Sequence, residues 1–238
     1  TGCPWDLKQT LESIVPHTLE EAYELAQAIE LNDKENIKKE MGDLLFQVIF
    51  YSQIAKEKGW FDFDDICAEL KDKLIRRHPH VFDNVKVESA EAQSELWESI
   101  KALERENGDL FSDIPYNMPS LSRAQKIQKR VARLGFDWSK IDEVLEKIEE
   151  EIQEIHEVIH HDEEKAQEEL GDLLFVCCNL ARWLNQDAEQ LLRRANNKFI
   201  KRFLRVDFEV KKTGKPWESF DIETLESFWQ LAKEEERS

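Results

Sequence analysis

Apolar residues recur at helical spacing along most of the chain. Near the N-terminus they follow one helical face, at Leu19, Ala22, Leu25, Ala26 and Ile29. Spacings of three and four residues are typical of an amphipathic α-helix. Thr18, followed three positions later by Glu21, has the pattern of a capping box, which predicts that this helix begins at Thr18.

The same periodicity predicts helices over the rest of the chain. A second helix runs from Asp33 to about Lys58, and a third begins at Asp62 or Asp64 and ends near Pro79. Further helices are predicted over about 88–106, 119–134, 139–160, 162–185, 187–212 and 221–236. The chain has only 7 Gly and 6 Pro, too few for the many tight turns of a β-rich fold. We therefore predict an all-α protein.

Three sequence blocks occur twice in the same order. Their offsets are 130, 129 and 125 residues, for 19–25 with 149–155, 38–50 with 167–179, and 72–82 with 197–207. The clearest match is EMGDLLF against ELGDLLF. Nearly constant offsets indicate the tandem duplication of a helical unit. We expect a first unit at 1–82, a second at 119–238, and between them a charged linker arm at 83–118 that packs little.

Acidic residues stand inside the most apolar helices. Asp43 lies within MGDLLFQVIFY and Asp172 within LGDLLFVCCNL. A helix that is apolar on every side is expected to be buried, and a buried carboxylate must be paired, protonated or bound to a metal. Further acids stand three residues apart, so that both members of a pair share a helix face. The pairs are Glu21 with Glu24, Glu40 with Asp43, Glu151 with Glu154, and Glu169 with Asp172.

Two antiparallel helices could aim four such carboxylates at one point. At an effective dielectric constant of ~20, two like charges ~4 Å apart repel by roughly 4 kcal/mol. We expect no Lys or Arg at matching positions to offset this repulsion, and a hard divalent cation would resolve it. Oxygen ligands suit Mg²⁺, with Mn²⁺ as a possible substitute. A single glutamate pair is typical of a solvated helix face, but the duplicated set favours a metal site.

Two other features accompany the acids. Gly42 and Gly171 stand in the middle of their helices, where glycine costs ~1 kcal/mol relative to alanine, so a close approach of a helix, metal or substrate would explain them. The third block of each unit carries basic residues one helical turn apart, Lys73 with Arg77 and Lys198 with Arg202. Such pairs can hold phosphate oxygens beside a metal; ordinary surface charge is the alternative.

Composition excludes several classes of protein. The net charge is −18, from 33 Lys and Arg against 51 Asp and Glu, which argues against binding of nucleic-acid polymers but allows a small anion held through metal ions. No apolar run reaches ~18 residues, so we expect no membrane segment. The four Cys lack zinc spacing and are too few for a disulfide scaffold, which predicts reduced thiols and a cytoplasmic protein.

The acidic pattern resembles that of the MazG family. EExxE followed by ExxD occurs at 20–24 with 40–43 and again at 150–154 with 169–172. The segments GCPWD (2–6), RRHPHVF (76–82), RAQKIQKR (123–130) and GFDW (135–138) are also similar to two-domain bacterial MazG. The acidic pattern alone occurs in other all-α nucleotide pyrophosphohydrolases, whereas the duplication and GCPWD make the resemblance specific. It covers essentially the whole chain.

The resemblance implies a fold and an activity. The fold would be a tandem pair of helical units with four-helix-bundle packing, completed by formation of a homodimer. The activity would be Mg²⁺-dependent hydrolysis of nucleoside triphosphates, both NTP and dNTP, to nucleoside monophosphate and pyrophosphate, with a role in clearing the nucleotide pool. The implied metal ligands are Glu151, Glu154, Glu169 and Asp172 in the second unit and Glu21, Glu24, Glu40 and Asp43 in the first.

The resemblance also implies roles for residues around the acids. Lys198 and Arg202 would contact phosphate and Trp229 would lie near the nucleotide; Lys147 is a further candidate for substrate binding. In the first unit, Lys73 and Arg77 are the equivalents of Lys198 and Arg202. Glu150 is not an implied ligand and is the candidate to orient or deprotonate the attacking water; an exposed surface glutamate is the alternative.

The two units differ in the segment on their C-terminal side. The second unit continues into a helix that carries Trp229, and the first into the charged arm, in which Trp97 is the aromatic candidate. We therefore expect the second unit to be the main catalyst. Two other functions stay open: a catalytically weak nucleotide- or metal-binding regulator of the same fold, and a helical scaffold that binds proteins through acidic faces.

Overall fold

The regular secondary structure is helical throughout the described part of the chain. The computed structural model describes residues 2–83, 85, 88–104 and 110–236, without the side chains of 90, 91, 94 and 95. Within these ranges the α-helices are α1 (Leu11–Glu30), α2 (Lys34–Glu57), α3 (Phe63–Arg77), α4 (Pro79–Phe82), α5 (Ala90–Leu103), α6 (Ser120–Ala132), α7 (Ile141–Val158), α8 (Glu163–Trp183), α9 (Ala188–Thr213) and α10 (Ile222–Glu235). The all-α prediction is confirmed. None of the helices described is long and apolar enough to cross a membrane.

The chain forms two compact units, Thr1–Glu106 and Asn107–Ser238. The division falls inside the segment 83–118, so α5 belongs with the first unit. Asp113, near the other end of that segment, pairs with Arg130 of α6 in the second unit at 2.8 Å. These contacts differ from the expectation that the segment packs little. The domain bounds 1–82, 83–118 and 119–238 stay a prediction.

Aspartate side chains cap five of the ten described α-helices, among them three that the sequence predicts. Asp33, Asp62 and Asp221 each accept a hydrogen bond from a backbone amide in the first turn of α2, α3 and α10, which satisfies a donor that the helix itself leaves unpaired. The predicted start at Thr18 is wrong. Thr10 caps α1 instead, through a reciprocal capping box with Ser13.

Thr18 lies inside α1 and joins it to α2. Its hydroxyl donates to the carbonyl oxygen of Ile14 and lies 2.8 Å from the hydroxyl of Tyr51. The chain reverses between α1 and α2 at Asn32, which has a φ of 53°, a left-handed conformation that asparagine tolerates better than most residues. This tight reversal packs α1 against α2, and α7 packs against α8 in the same way. Each hairpin brings the acids of two helices together.

Helix α6 holds α8 and α9 in place through two buried glutamines. Gln125 donates to the carbonyl oxygens of Cys178 and Gln186 and accepts from the amide of Ala188. Gln128 donates to the carbonyl oxygen of Phe175 at 2.7 Å. Because buried amides must find partners, these bonds fix the position of α6 against the helix that carries Glu169 and Asp172. The neighbouring core consists of Cys178, Ala181 and Ala188.

Candidate active site

The first unit gathers three of its four predicted acids. Carboxylate oxygens of Glu21 and Glu24 on α1 and of Glu40 on α2 all lie within 4.8 Å of one another. Asp43 lies one turn further along α2, where its carboxylate is 3.7 Å from Lys39. Its charge still acts on the cluster, because the pKa of Glu21 is raised first by desolvation and then by the charge of Asp43. The antiparallel hairpin therefore brings three of the four acids together, with Asp43 one turn away on α2.

The second unit gathers a different set of three. Carboxylate oxygens of Glu151 on α7 and of Glu169 and Asp172 on α8 lie within 4.8 Å of one another. Glu154 stands outside this set, yet its charge acts on it, because the pKa of Glu169 is raised first by desolvation and then by Glu154. The two hairpins thus present the same acids in slightly different arrangements.

One carboxylate in each cluster is buried and incompletely paired. Glu40 is 6% exposed and Glu151 is 3% exposed. In both residues the Oε2 atom is buried and has no hydrogen-bond partner among the described residues. A buried charged oxygen without a partner is costly, and a divalent cation would supply the missing partner. Oxygen donors at this spacing therefore fit a hard divalent cation.

Lysines stand inside both clusters, which contradicts the expectation that matching cations are missing. Lys39 lies 2.9 Å from Glu40, and Lys147 lies 2.9 Å from Glu151 and 2.8 Å from Glu150. Lys165 approaches Glu169 at 3.9 Å. In each unit a lysine pairs with the buried acid, so part of the mutual repulsion is neutralised within the chain.

The lysine comes from a different helix of the hairpin in each unit. Lys39 comes from α2, the second helix of its hairpin, and Lys147 from α7, the first helix of its hairpin. The buried acid changes helix in the same way, from Glu40 on α2 to Glu151 on α7. The acid with the raised pKa is then the one on the facing helix, Glu21 or Glu169. The sequence comparison missed this difference between the units because it matched the acids and not the lysines near them.

The apolar faces beside the acids are not buried within the chain. Asp43 is 45% exposed and Asp172 is also exposed, which corrects the expectation of fully buried helices. The large apolar residues that flank them are exposed as well: Met41, Leu45, Phe46, Leu170, Leu174 and Phe175. Gly42 and Gly171 share this exposure, since a Cβ atom at either position would meet nothing within 4 Å. Any close approach at the glycines must come from outside the described chain.

The predicted phosphate ligands lie on α3 in the first unit and on α9 in the second. Arg202 of α9 pairs with Glu236 at 2.8 Å, and its guanidinium lies 5.8 Å from the ring centroid of Trp229 on α10. Lys198 lies one turn before Arg202 on the exposed side of α9. In the first unit, Lys73 and Arg77 occupy the corresponding turn of α3.

Arg77 has surroundings like those of Arg202. Its guanidinium pairs with Glu104 and lies 5.3 Å from the ring centroid of Trp97 on α5. Trp97 and Trp229 are 132 residues apart, as are Glu104 and Glu236, and α5 and α10 are related by the same offset. Helix α5 is therefore the counterpart of α10. Within the described residues, each repeat thus has four long helices, α1, α2, α3 and α5 in the first unit and α7, α8, α9 and α10 in the second, and the sequence comparison missed the fourth. The shared tryptophan offset was the available signal.

Glu150 is exposed and pairs with Lys147. Lys147 is thereby held between Glu150 and Glu151, whose hydrogen bonds raise the pKa of its ammonium group. The candidate substrate-binding lysine is thus part of the acidic cluster.

Comparison with known proteins identifies a matching family model and several similar proteins. A family model described as the MazG nucleotide pyrophosphohydrolase domain matches residues 9–82 and again 140–206. A nucleoside triphosphate pyrophosphohydrolase of Escherichia coli K12 is 48% identical over 99% of this chain and 92% of its own length. A nucleoside triphosphate pyrophosphohydrolase/pyrophosphatase MazG of Thermotoga maritima is 43% identical over 98% of this chain and 89% of its own length. A crystal structure of a mazG-related protein from Thermotoga maritima has a TM-score of 0.38 and 27% identity, and covers 42% of this chain and 88% of that one.

Proposed function

The chain belongs to the MazG nucleotide pyrophosphohydrolase family, and we propose that it hydrolyses nucleoside triphosphates to nucleoside monophosphate and pyrophosphate. We propose a broad substrate range that includes NTPs and dNTPs, dependence on Mg²⁺ with Mn²⁺ as a possible substitute, and a role in clearing the nucleotide pool. A cytoplasmic location is part of the proposal, and four unpaired cysteines are compatible with it.

The observation that carries the proposal is the pair of buried, unpartnered carboxylate oxygens in the acidic clusters, Oε2 of Glu40 and Oε2 of Glu151. A chain with net charge −18 does not attract a triphosphate by itself. A divalent cation held by these carboxylates would remove this difficulty, because it would offset the negative charge of the protein and of the triphosphate. The ligands would be Glu151, Glu154, Glu169 and Asp172 in the second unit, and Glu21, Glu24, Glu40 and Asp43 in the first.

Mg²⁺, when bound, would offset the charge of the triphosphate and of the leaving pyrophosphate. The basic residues of the chain would act on the phosphate oxygens. Arg202 offers a planar fork of donors that suits phosphate, and Lys198 lies one turn away on the same helix. Lys147 would reach the substrate from its position beside Glu151. Trp229 would stack against the base, a contact that tolerates any base and is consistent with a broad range.

Glu150 would orient or deprotonate the attacking water. Its exposed carboxylate pairs with Lys147, which would hold it close to Glu151. In the first unit, Lys73 and Arg77 would hold phosphate and Trp97 would take the place of Trp229.

The second unit remains our proposed main catalyst, although for a new reason. The first unit does not lack an aromatic residue, since Trp97 lies beside Arg77 as Trp229 lies beside Arg202. Glu104, however, is held by two guanidinium groups, so Arg77 is less available to a substrate.

We also propose a homodimer. The large apolar residues exposed on α2 and α8 form a surface beside each acidic cluster, and contiguous apolar surface of this kind is typical of an interface. A second copy would cover it and complete four-helix packing around each site. Analytical ultracentrifugation tests this directly. A chain that stays monomeric at high concentration would contradict it.

Product analysis tests the activity. Each NTP and dNTP is incubated with the protein, with and without Mg²⁺, and the phosphate products are separated. We expect nucleoside monophosphate and pyrophosphate only with metal. Release of orthophosphate would overturn the reaction class, and the lack of any turnover would favour the regulator.

Variants then assign the working unit. Glu169→Ala should abolish most turnover if the second unit is the main catalyst, whereas Glu40→Ala should retain most of it. Glu157→Gln is the matched control, because Glu157 is an exposed glutamate of α7 that bonds to Gln153 and stands outside the cluster.

A further inference from the structure

Arg202 is held by a carboxylate from the chain itself. Its Nε and Nη2 atoms each lie 2.8 Å from Oε2 of Glu236, directly after the end of α10. Lys201 adds a longer contact of 3.7 Å to the same carboxylate. Both side chains of the main pair are about one-fifth exposed, at 21% for Arg202 and 20% for Glu236. The arginine proposed to bind phosphate is therefore already occupied by an anion.

The same arrangement occurs in the first unit. Glu104, directly after the end of α5, pairs with Arg77 and lies 2.7 Å from Nε of Arg76. Trp97 lies over Arg77, seven residues before Glu104, and Trp229 lies over Arg202, seven residues before Glu236. An arginine, a tryptophan and a glutamate thus meet in both units, with the last two on the fourth helix.

A carboxylate and a phosphate use the same donors of a guanidinium group. Two anions cannot occupy one guanidinium fork together, so the internal glutamate and an incoming phosphate exclude each other. When only a fraction of the molecules has the arginine free, the apparent affinity falls by that fraction.

We infer that Glu236 and Glu104 are internal competitors that hold the phosphate-binding arginine of each unit until a nucleoside triphosphate displaces them. The inference rests on the proposed function, because it takes Arg202 and Arg77 to be phosphate ligands. It adds an affinity-determining glutamate, at the end of the fourth helix, to each unit.

The two competitors are held with different strength. Glu104 is bound by two guanidinium groups, and hydrogen bonds from Arg77 and then Arg76 lower its pKa to about 2. Glu236 is bound by one guanidinium and by a more distant ammonium group. Arginine binds a carboxylate through a rigid, pre-organised fork, whereas lysine acts as a point charge. The first unit is therefore a latent site that opens less readily than the second.

Isothermal titration with a non-hydrolysable probe tests the competition. The probe is an ATP analogue with a methylene bridge between the α and β phosphorus atoms, in the presence of Mg²⁺, and the protein is the whole chain. Glu236→Gln should lower the dissociation constant about 3- to 10-fold, the range expected for the loss of a charge-assisted internal competitor. Glu104→Gln should add a second binding event per chain.

Glu235→Gln is the matched control. Glu235 precedes Glu236 and lies 2.8 Å from Arg205 rather than from Arg202, so its neutralisation should leave the dissociation constant unchanged. Circular dichroism of each variant verifies the fold. An unchanged or weaker affinity in Glu236→Gln would mean that the ion pair is only structural, and would overturn the inference.

Two outcomes separate this inference from the proposed function. Turnover by the unmodified chain, together with an unchanged affinity in Glu236→Gln, would refute the competition alone. Tighter binding of the analogue in Glu236→Gln, with no turnover of any nucleotide by the unmodified chain, would refute the proposed function and support the competition. Failure of every variant to bind the analogue would overturn the inference.

Discussion

Replacement of Lys147 by methionine should destabilise the metal-free protein and have little effect when Mg²⁺ is saturating. Lys147 lies 2.9 Å from Glu151, and Glu151 has oxygens of Glu169 and Asp172 within 4.8 Å. The ammonium group therefore offsets repulsion that a bound cation would also offset. Methionine keeps much of the length of the side chain and removes its charge.

The magnitude can be worked out from these distances. At an effective dielectric constant of ~20, the attraction at 2.9 Å is about 6 kcal/mol, and two repulsions at 4.8 Å amount to about 7 kcal/mol, so these three interactions nearly cancel. Without Lys147 the repulsion is unopposed. A carboxylate escapes it by taking up a proton, which for an ordinary glutamate costs about 3.7 kcal/mol at pH 7. The expected loss of unfolding free energy is therefore at most about 3.7 kcal/mol.

Urea unfolding followed by circular dichroism measures the effect. The unmodified chain and Lys147→Met are compared in EDTA and in saturating Mg²⁺, and the difference between them should fall to less than about 1 kcal/mol with the metal, because a ligand of the folded state stabilises it. Glu151→Gln should be nearly neutral in EDTA, since attraction and repulsion are removed together. Lys212→Met, which removes an exposed pair with Glu209, is the control. An equal loss with and without Mg²⁺ would refute the reasoning.

Three further predictions concern the framework of the site. Gln125→Leu should lower the unfolding free energy by about 2 kcal/mol, measured by urea unfolding, because two carbonyl groups and one amide lose a partner; a neutral result would contradict the proposed support of α8 and α9. Glu104 has a pKa lowered to about 2 from its ordinary 4.5, so its pair with Arg77 should contribute stability above pH 4.5 and lose it as the pH falls towards 2; Glu104→Gln should flatten that part of the acid unfolding curve, and an unaltered curve would argue against the pair. Gly171→Ala should stabilise the monomeric chain by about 1 kcal/mol, measured at dilutions below the dimer range, and a loss there would show that the position is not open.

Much of the fold and of the acidic site could be predicted from the sequence, because local patterns encode both. Helical periodicity and aspartate caps predicted the helices, and pairs such as Glu21 with Glu24 put both carboxylates on one face. The start of α1 was predicted incorrectly because both Thr10 and Thr18 can serve as an N-cap. The capping box of Thr10 with Ser13 cannot be recognised from the apolar pattern, which points to Thr18.

Distances between separate helices were decided only by the tertiary structure. The sequence shows that Lys39 and Lys147 stand near acids, but the side chains they reach depend on how each hairpin packs. The exchange of the buried acid from Glu40 to Glu151 has the same origin. The ion pairs of Glu104 and Glu236 join α5 to α3 and α10 to α9, across 27 and 34 residues of sequence. Periodicity describes one helix at a time, so contacts across that separation are determined only when the helices pack.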